Sequence, residues 1–267
     1  MTKNKGYYVR IANILNHVVK IMLKNIRIVL IETSHSGNIG SAARAMKTMG
    51  LTDLVLVAPK QSEDDQAIAL AAGAEDVVKS AVTAESFSQA VADCSLVIGT
   101  SARLRHLQNS LIEPRECGKK AVAYATNGKV AIVFGRERVG LTNEELLKCH
   151  YHVTIPANPD YTSLNLAMAV QLIAYEVRMA YLTQTIASPS QNIRNNANIY
   201  PQMEELEYFF SHTEQLYRSV GFIQNQGVMQ RLRRLYNRAG IEKTELNILL
   251  GMLSAVEKNL NLDRDNS

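Results

Sequence analysis

The chain of 267 residues is 46% hydrophobic and 20% charged, with a formal net charge of +4. These values are typical of a globular protein with a substantial core, and the length suits one α/β domain plus a smaller unit. No segment contains the run of about 20 apolar residues that a membrane span requires, so we expect no membrane partner.

The positive charge is concentrated at the beginning of the chain. Residues 1–21 contain basic side chains and no acidic one, which leaves the remainder of the chain neutral. The basic residues are Lys3, Lys5, Arg10 and Lys20. A signal peptide is disfavoured because Asn13 and Asn16 interrupt the apolar region and no small-residue cleavage site follows. We interpret residues 1–21 as an extension, either disordered or preceding a natural start at Met22. Any affinity for nucleic acid must then come from local patches.

Short apolar segments rich in Val and Ile alternate with helical patterns in the first part of the chain. The predicted strands are Ile26–Ile31, Leu54–Val57, Ser95–Ile98, Val130–Phe134 and His152–Ile155. The predicted helices cover about 39–49, 86–92, 119–125 and 164–182. Strands that are apolar along their whole length are typical of a parallel sheet buried on both faces. The alternation predicts a doubly wound α/β domain over residues 22–182.

A second, all-helical unit is predicted at the end of the chain. Residues 183–199 are polar and rich in Asn, Gln and Ser, so we interpret them as a linker. Beyond them, apolar residues such as Leu206, Phe209 and Phe210 recur at helical spacing in three stretches. This pattern predicts three amphipathic helices in a small all-α unit over residues 200–267.

Polar loops follow four of the predicted strands at their carboxyl ends. They cover Thr33–Arg44, Thr100–Arg103, Phe134–Thr142 and Ile155–Asn165. Ligands bind at this edge of open α/β sheets, so the four loops together predict a shared ligand pocket. In the first loop, Gly37 and Gly40 fit either a phosphate cradle or an ordinary turn. In the second, Thr100–Ala102 fits either close ligand contact or a helix cap.

The third and fourth loops carry stronger patterns. Arg136–Arg138 is a charged triplet between two glycines directly after a buried strand. We interpret it as a functional loop, with a solvated turn as the alternative. Thr142 and Glu145 predict a capping box for a further helix. In the fourth loop, we expect Ser163 or Thr162 to cap the helix that follows.

Metal and thiol chemistry are disfavoured. His150 and His152 would share one face of a strand, but no further His or Cys cluster accompanies them, so we expect no metal. The three cysteines, Cys94, Cys117 and Cys149, include no C-x-x-C pair. This pattern is typical of reduced thiols in a cytoplasmic protein.

A basic strip is present in the second predicted helix of the C-terminal unit. It contains Arg231, Arg233, Arg234 and Arg238 beside Tyr236. Arginines interleaved with an aromatic residue suit contacts with RNA phosphates. A solvated helix face is the alternative.

Four segments carry a resemblance to a known family. They are NIGSAARAMKTMGL from Asn38, VIGTSAR from Val97, IVFGRERVGLTNEEL from Ile132 and IPANPDYTSLNLAMAVQLIAYEV from Ile155. In this order and spacing they resemble the SPOUT methyltransferases, and within them the bacterial enzymes that methylate the ribose 2′-hydroxyl of cytidine or uridine 32 in tRNA. The resemblance runs from about Asn25 into the C-terminal helices and leaves residues 1–21 outside.

The resemblance implies a trefoil knot near the carboxyl end of the α/β domain, a homodimer, S-adenosylmethionine as methyl donor and tRNA as substrate. The donor contacts that it implies are Thr100, Ser101, Ala102, Gly135, Ile155, Thr162, Ser163 and Leu164. The implied catalytic positions are Asn38, Arg44, Glu137, Ser163 and Asn165, with Arg105 as a substrate contact. The motifs are intact at all of these positions.

The resemblance also implies a chemistry. A ribose hydroxyl is a weak nucleophile that must lose its proton as it attacks the sulfonium methyl group. Because a guanidinium stays protonated, we interpret Arg44 as stabilising the developing alkoxide, with Ser163 and Asn165 orienting it. Two alternatives stay open. One is a nucleotide- or NAD-binding enzyme, which would lack the usual glycine fingerprint, and the other is a non-catalytic RNA-binding module.

Overall fold

The computed structural model describes residues 23–61, 64–101, 111–187 and 199–265. The predicted extension at residues 1–21 and most of the predicted linker lie outside the described residues. Within these ranges the chain forms a parallel sheet with helices on both faces and three further helices at its C-terminal end. The predicted α/β fold with additional C-terminal helices is confirmed.

The described residues form one sheet of seven strands, all parallel. In chain order they are β1 (Ile26–Ile31), β2 (Asp53–Val57), β3 (Val82–Ala84), β4 (Cys94–Thr100), β5 (Leu111–Ile112), β6 (Lys129–Phe134) and β7 (Tyr151–Val153). Their order across the sheet is β3-β2-β1-β6-β4-β7-β5. The five predicted strands are all present, with slightly shifted bounds. Strands β3 and β5 are too short to leave a pattern in the sequence.

Seven described helices precede the C-terminal unit. They are α1 (Ser36–Met49), α2 (Asp65–Ala71), α3 (Glu75–Lys79), α4 (Phe87–Val91), α5 (Pro114–Ala125), α6 (Asn143–Lys148) and α7 (Leu166–Ala187). The C-terminal unit contains α8 (Met203–Ser219), α9 (Gln226–Ala239) and α10 (Lys243–Asp265). The capping box predicted from Thr142 and Glu145 is confirmed at the start of α6. In the described part of the chain, no helix is long and apolar enough to cross a membrane.

The helices on one face of the sheet approach one another closely at glycines. A Cβ added at Gly40 would lie 1.9 Å from the carbonyl oxygen of Ala67 in α2, and one at Gly118 would lie 2.4 Å from the carbonyl oxygen of Glu176 in α7. Gly37 and Gly40 both lie inside α1. Gly40 therefore serves helix packing, and neither Gly37 nor Gly40 lies in the loop before α1.

The C-terminal unit covers the other face of the sheet. Val97 of β4 and Val133 of β6 belong to the same hydrophobic core as Phe209 and Phe210 of α8. Phe209 packs edge-on against Tyr236 of α9, with the ring centroids 5.0 Å apart. The C-terminal helices are therefore part of the core of the α/β domain and complete its second face.

The predicted end of the α/β domain falls inside a helix. Helix α7 continues past residue 182 to Ala187, into the predicted linker, of which residues 188–198 lie outside the described ranges. At the start of α8, the Glu204 N–H donates a hydrogen bond to the carbonyl oxygen of Ala92 (3.1 Å). A chain cut at residue 182 would interrupt α7 and uncover the second face of the sheet.

The two histidines near β7 have structural partners. Nδ1 of His150 accepts a hydrogen bond from the Val97 N–H (3.1 Å), and Nε2 of His152 lies 2.8 Å from the carbonyl oxygen of Leu146. Burial lowers the pKa of His150 to about 4 and also lowers the pKa of His152. Both histidines are therefore neutral core residues at neutral pH.

Acidification should destabilise the fold through His150. Its pKa is about 4 in the folded protein and about 6.5 in an unfolded chain, so the unfolded chain binds more protons between these values. Stability therefore falls as the pH falls through this window, by about 2–3 kcal/mol from this residue between pH 7 and pH 4.5. Urea unfolding of the wild type and of His150→Gln across this range measures the effect. Equal pH slopes in the two proteins would contradict it.

Candidate functional site

The four predicted loops meet at one edge of the sheet, because β1, β6, β4 and β7 are neighbours and parallel strands end on the same side. Thr100, Gly135 and Ile155 lie at or just beyond the ends of three of these strands. Of the other predicted donor contacts, Ser101 and Leu164 are half-buried and Thr162 and Ser163 are exposed. Ala102 and Arg105 lie outside the described residues.

The loop after β1 turns sharply before α1 begins. Glu32 has a φ of 45°, a left-handed conformation that is uncommon for residues other than Gly. Its N–H donates a hydrogen bond to the carbonyl oxygen of Val57 in β2 (2.8 Å). Because α1 begins at Ser36, Asn38 lies in the first turn of this helix, at the edge where the other loops meet.

The loop after β6 is a tight hairpin closed by its own backbone. The Gly140 N–H donates to the carbonyl oxygen of Arg136 (2.8 Å), and the Arg136 N–H donates to that of Gly140 (3.3 Å). A Cβ added at Gly135 would lie 2.1 Å from the carbonyl carbon of Gly140. The backbone of the loop itself thus requires glycine at position 135. A larger side chain there would open the hairpin before it reached any ligand.

The Glu137 carboxylate joins two of the loops. It accepts hydrogen bonds from the Ser34 N–H (3.0 Å), the Ser34 hydroxyl (3.0 Å) and Asn38 Nδ2 (3.1 Å). Burial opposes ionisation of this carboxyl group, but the hydrogen bonds outweigh it and hold the pKa of Glu137 below its ordinary value. Glu137 is therefore an ionised acceptor that is poorly suited to take up a proton. Sequence analysis does not single out Ser34 as a site residue. The polar segment after β1, in which Ser34 lies, is the pattern that could have pointed to it.

A hydrogen-bond chain continues from Glu137 to the loop after β7. Asn38 donates through Nδ2 to Glu137 and accepts at Oδ1 from Asn165 Nδ2 (3.0 Å). Asn38 lies 99 positions before Glu137 and 127 positions before Asn165 in the sequence, and the fold brings the three side chains together. The chain Asn165–Asn38–Glu137 links the loops after β7, β1 and β6.

Asn165 also caps helix α7. Its Oδ1 accepts hydrogen bonds from the Ala167 N–H (2.9 Å) and the Met168 N–H (3.4 Å). The expectation that Ser163 or Thr162 caps this helix is wrong, because α7 begins at Leu166 and the residue directly before it provides the oxygen. The exposed Ser163 hydroxyl is left for other contacts.

Arg44 is not drawn into this hydrogen-bond chain. It is exposed and follows Asn38 and Ser41 at three-residue intervals along a polar stripe of α1. Its guanidinium forms no hydrogen bond or ion pair with any residue that the structure describes. Side chains in a helix lean toward its N-terminus, so the long Arg44 side chain is suited to reach toward the edge where Asn38 lies.

Two buried hydroxyl groups at this edge are unsatisfied. Thr33 Oγ1, after β1, and Thr154 Oγ1, after β7, have no hydrogen-bond partner among the described residues. Buried polar atoms in native proteins are nearly always paired. The edge therefore has hydrogen-bonding capacity beyond what the described part of the protein uses.

The described residues contain no group of three His, Cys, Asp or Glu side chains that could hold a metal ion.

The four arginines of the basic strip on α9 have different surroundings. Arg233 forms an ion pair with Glu207 of α8 (Nη1–Oε1 2.5 Å) and lies over the ring of Phe210, 4.5 Å from its centroid. Its guanidinium is thus engaged in holding α9 on α8. The other three, Arg231, Arg234 and Arg238, are exposed or half-buried and pair with no described residue. They form the accessible part of the strip.

Comparison with known proteins identifies both parts of the chain. Residues 25–175 match the SpoU rRNA methylase family, and residues 204–265 match the C-terminal domain of the tRNA methyltransferase TrmJ. An uncharacterized tRNA/rRNA methyltransferase of Haemophilus influenzae is 68% identical over 250 residues, which are 92% of this chain and 100% of that protein. The tRNA (cytidine/uridine-2′-O-)-methyltransferase TrmJ of Escherichia coli is 58% identical over 240 residues, which are 89% and 97% of the two chains.

A solved structure shows the same fold. TrmJ from Z. mobilis ZM4 is 32% identical and superposes with a TM-score of 0.74 over 86% of this chain and 98% of that chain. The resemblance to SPOUT methyltransferases is confirmed by these matches. They extend over nearly the full length of the relatives and include both the sheet and the C-terminal helices. The chain therefore belongs to the SpoU family of methyltransferases and carries the C-terminal domain of the TrmJ tRNA methyltransferases.

Proposed function

We propose that this protein transfers a methyl group from S-adenosylmethionine to the ribose 2′-hydroxyl of cytidine or uridine 32 in tRNA. The observation that carries the proposal is the hydrogen-bond chain Asn165–Asn38–Glu137, which fixes polar side chains from three loops at one edge of the sheet. Membership of the SpoU family and 58% identity to the Escherichia coli enzyme support the reaction and the substrate class.

The methyl donor would bind where β6, β4 and β7 end side by side. Thr100, Gly135 and Ile155 lie there, and the unsatisfied buried hydroxyl of Thr154 beside them suits a polar ligand. Ser101, Ala102, Thr162, Ser163 and Leu164 complete the proposed donor contacts. When bound, S-adenosylmethionine supplies an electrophilic methyl group on a positively charged sulfur.

The amide chain would orient the substrate. An ionised carboxylate can only accept hydrogen bonds, so Asn38 must direct Nδ2 toward Glu137 and present Oδ1 to Asn165. Each amide is thereby held in one orientation. Each also keeps a second Nδ2 hydrogen with no acceptor among the described residues, available to a ribose oxygen. Glu137 acts here through Asn38.

Arg44 would supply the charge that the reaction needs. In methyl transfer the 2′-oxygen would bond to the methyl carbon, the electron pair of the carbon–sulfur bond would stay on sulfur as S-adenosylhomocysteine, and the hydroxyl proton would pass to solvent water. Negative charge would develop on the 2′-oxygen as the proton leaves. A guanidinium remains protonated and binds an oxyanion or a neighbouring phosphate through paired N–H groups. Placed beside the reacting oxygen, it lowers the energy of the transition state.

The knot and the homodimer are proposed on two features of the α/β domain. Strand β7 pairs on both sides with strands that precede it in the chain, β4 and β5, which suits a late segment passing through an earlier loop. Helix α7 carries an exposed apolar stripe at three- and four-residue spacing. It consists of Met168, Leu172, Tyr175, Met179 and Leu182. A contiguous apolar helix face marks an interaction surface, and we assign this one to the dimer.

We further propose that the accessible arginines of α9 bind tRNA phosphates.

We also propose that the protein works in the cytoplasm. Cys94, Cys117 and Cys149 are all free and buried. Burial raises the pKa of Cys94 and Cys117 to about 12, so both thiols stay protonated and inert. Free thiols in this number are usual in a reducing compartment.

Replacing Arg44 should block the reaction without blocking donor binding. In Arg44→Ala we expect kcat to fall roughly 10²–10³-fold, with an S-adenosylmethionine affinity within about twofold of the wild type. Arg44→Lys should restore activity only in part, because an ammonium cannot reproduce the paired N–H groups. Methylation assays and calorimetry measure both quantities.

The matched control for this experiment is Lys47→Ala, one turn further along α1, where the Lys47 side chain pairs with Asp76. It should leave kcat unchanged. Wild-type turnover in Arg44→Ala would remove Arg44 from the mechanism. No methylation by the wild type on any tRNA would instead favour a non-catalytic RNA-binding module.

A charge in the apolar stripe of α7 should dissociate the dimer. Met179→Glu places a carboxylate on a side chain that is 40% exposed in the single chain, and burying that charge in an apolar interface is unfavourable. We expect sedimentation to show a dimer for the wild type and a monomer for this variant. Met252→Glu is the control, on a methionine of α10 that is 61% exposed. Dimers of Met179→Glu would place the interface elsewhere.

Neutralising the accessible arginines of α9 should weaken tRNA binding and flatten its salt dependence. The triple variant Arg231→Gln, Arg234→Gln, Arg238→Gln should lower the slope of log K against log salt by about one for each lost phosphate contact. Arg233→Gln should instead lower the melting temperature, because Arg233 holds Glu207. Filter binding at several salt concentrations tests this. An unchanged slope in the triple variant would make the strip a solvated helix face.

A further inference from the structure

The two arginines that flank Glu137 in the loop after β6 differ in their exposure and contacts. Arg138 is exposed, whereas Arg136 is engaged inside the protein. Nη1 and Nη2 of Arg136 donate to the two carboxylate oxygens of Glu145 at 3.0 and 3.1 Å. Nη2 also bonds to Glu32, and Nη1 lies 3.5 Å from the carbonyl oxygen of Gly140. The Arg136 and Glu145 side chains are only 19% and 13% exposed.

The partners of Arg136 belong to different elements. Glu32 follows β1 in its left-handed conformation, and Gly140 closes the hairpin after β6. Glu145 lies in the first turn of α6, where it also completes the capping box with Thr142. One guanidinium therefore ties the end of β1 and the start of α6 to the loop after β6.

Arg136 and Glu137 hold the loop after β1 at two points. Glu137 binds Ser34 through its N–H and hydroxyl, and Arg136 binds Glu32 two residues earlier. The hydrogen bond from Arg136 lowers the pKa of Glu32, and the hydrogen bonds to Glu32 and Glu145 raise that of Arg136. The contact between Arg136 and Glu32 therefore favours the charged form of both groups.

We propose that Arg136 is a positioning residue for methyl transfer. It fixes the hairpin after β6 so that Glu137 meets Ser34 and Asn38, and through Asn38 it sets the position of Asn165. Arg136 does not contact the substrate, because its Nη atoms already donate to protein oxygens. The proposal rests on the assignment of the Asn165–Asn38–Glu137 chain to the catalytic site.

The test compares kcat and KM in the full-length protein. In Arg136→Lys the charge remains, but one ammonium cannot hold both oxygens of Glu145 and also reach Glu32. We expect kcat to fall about tenfold or more, because small displacements of catalytic groups are costly. The KM for tRNA should stay within about twofold, since no phosphate contact is lost. A wild-type kcat in this variant would overturn the proposal.

A double variant separates positioning from general stability. If Arg136 acts through Glu137, the variant carrying both Arg136→Lys and Glu137→Gln should be no slower than Glu137→Gln alone. Losses that multiply would overturn the role assigned to Arg136. A wild-type kcat in Glu137→Gln alone is a different outcome and would overturn the proposed role of Glu137 in the site.

Two further proteins keep the comparison interpretable. Lys129→Met removes an ion pair with Asp93 (2.6 Å) at the opposite end of β6 and should leave kcat unchanged. Thermal melting verifies that each variant is folded. If Arg136→Lys does not fold, Glu32→Gln takes its place, because it removes one partner and preserves the pair with Glu145. The same fall in kcat at constant KM is expected, and a wild-type kcat would count against the proposal.

Discussion

The geometry of the site depends on satisfying one half-buried carboxylate. Removing Glu137 from water without hydrogen bonds would be strongly unfavourable, and its donors come from Ser34 and Asn38 in a different part of the chain. The loops after β1 and β6 must therefore sit together whenever the protein is folded. Asn38 then fixes Asn165 at the third loop. The polar groups are thus in place before any ligand arrives, which is the condition for strong electrostatic catalysis.

The C-terminal helices contact both the sheet and the helix that anchors the loop after β6. They bury the second face of the sheet with Phe209 and Phe210, and α9 packs on α6, the helix whose Glu145 anchors the loop after β6. The surface that carries the accessible arginines is therefore built on the same scaffold as the loops at the carboxyl edge of the sheet.

Sequence patterns predict the elements well and their tertiary partners poorly. The five main strands appear as apolar runs, and the capping box of α6 follows from Thr142 and Glu145, because these signals are local. Ser34 and Glu137 are separated by 103 positions, and Asn38 and Asn165 by 127, so no local pattern reveals their pairing. The cap of α7 was assigned to the wrong residue because Thr162, Ser163 and Asn165 are all good caps, and only the start of the helix decides among them.

The arginines show why residue type alone does not define function. Arg136 and Arg233 each form a close pair with a carboxylate on another element, so their charge is largely cancelled for any approaching RNA. Arg44 and the accessible arginines of α9 have no such partner among the described residues. Because the chain beyond residue 21 has no net charge, any attraction that it has for phosphate depends on local basic groups such as these. They lie on two separate elements, α1 and α9. A ligand that contacts both must be large, so this placement suits a folded RNA better than a single nucleotide.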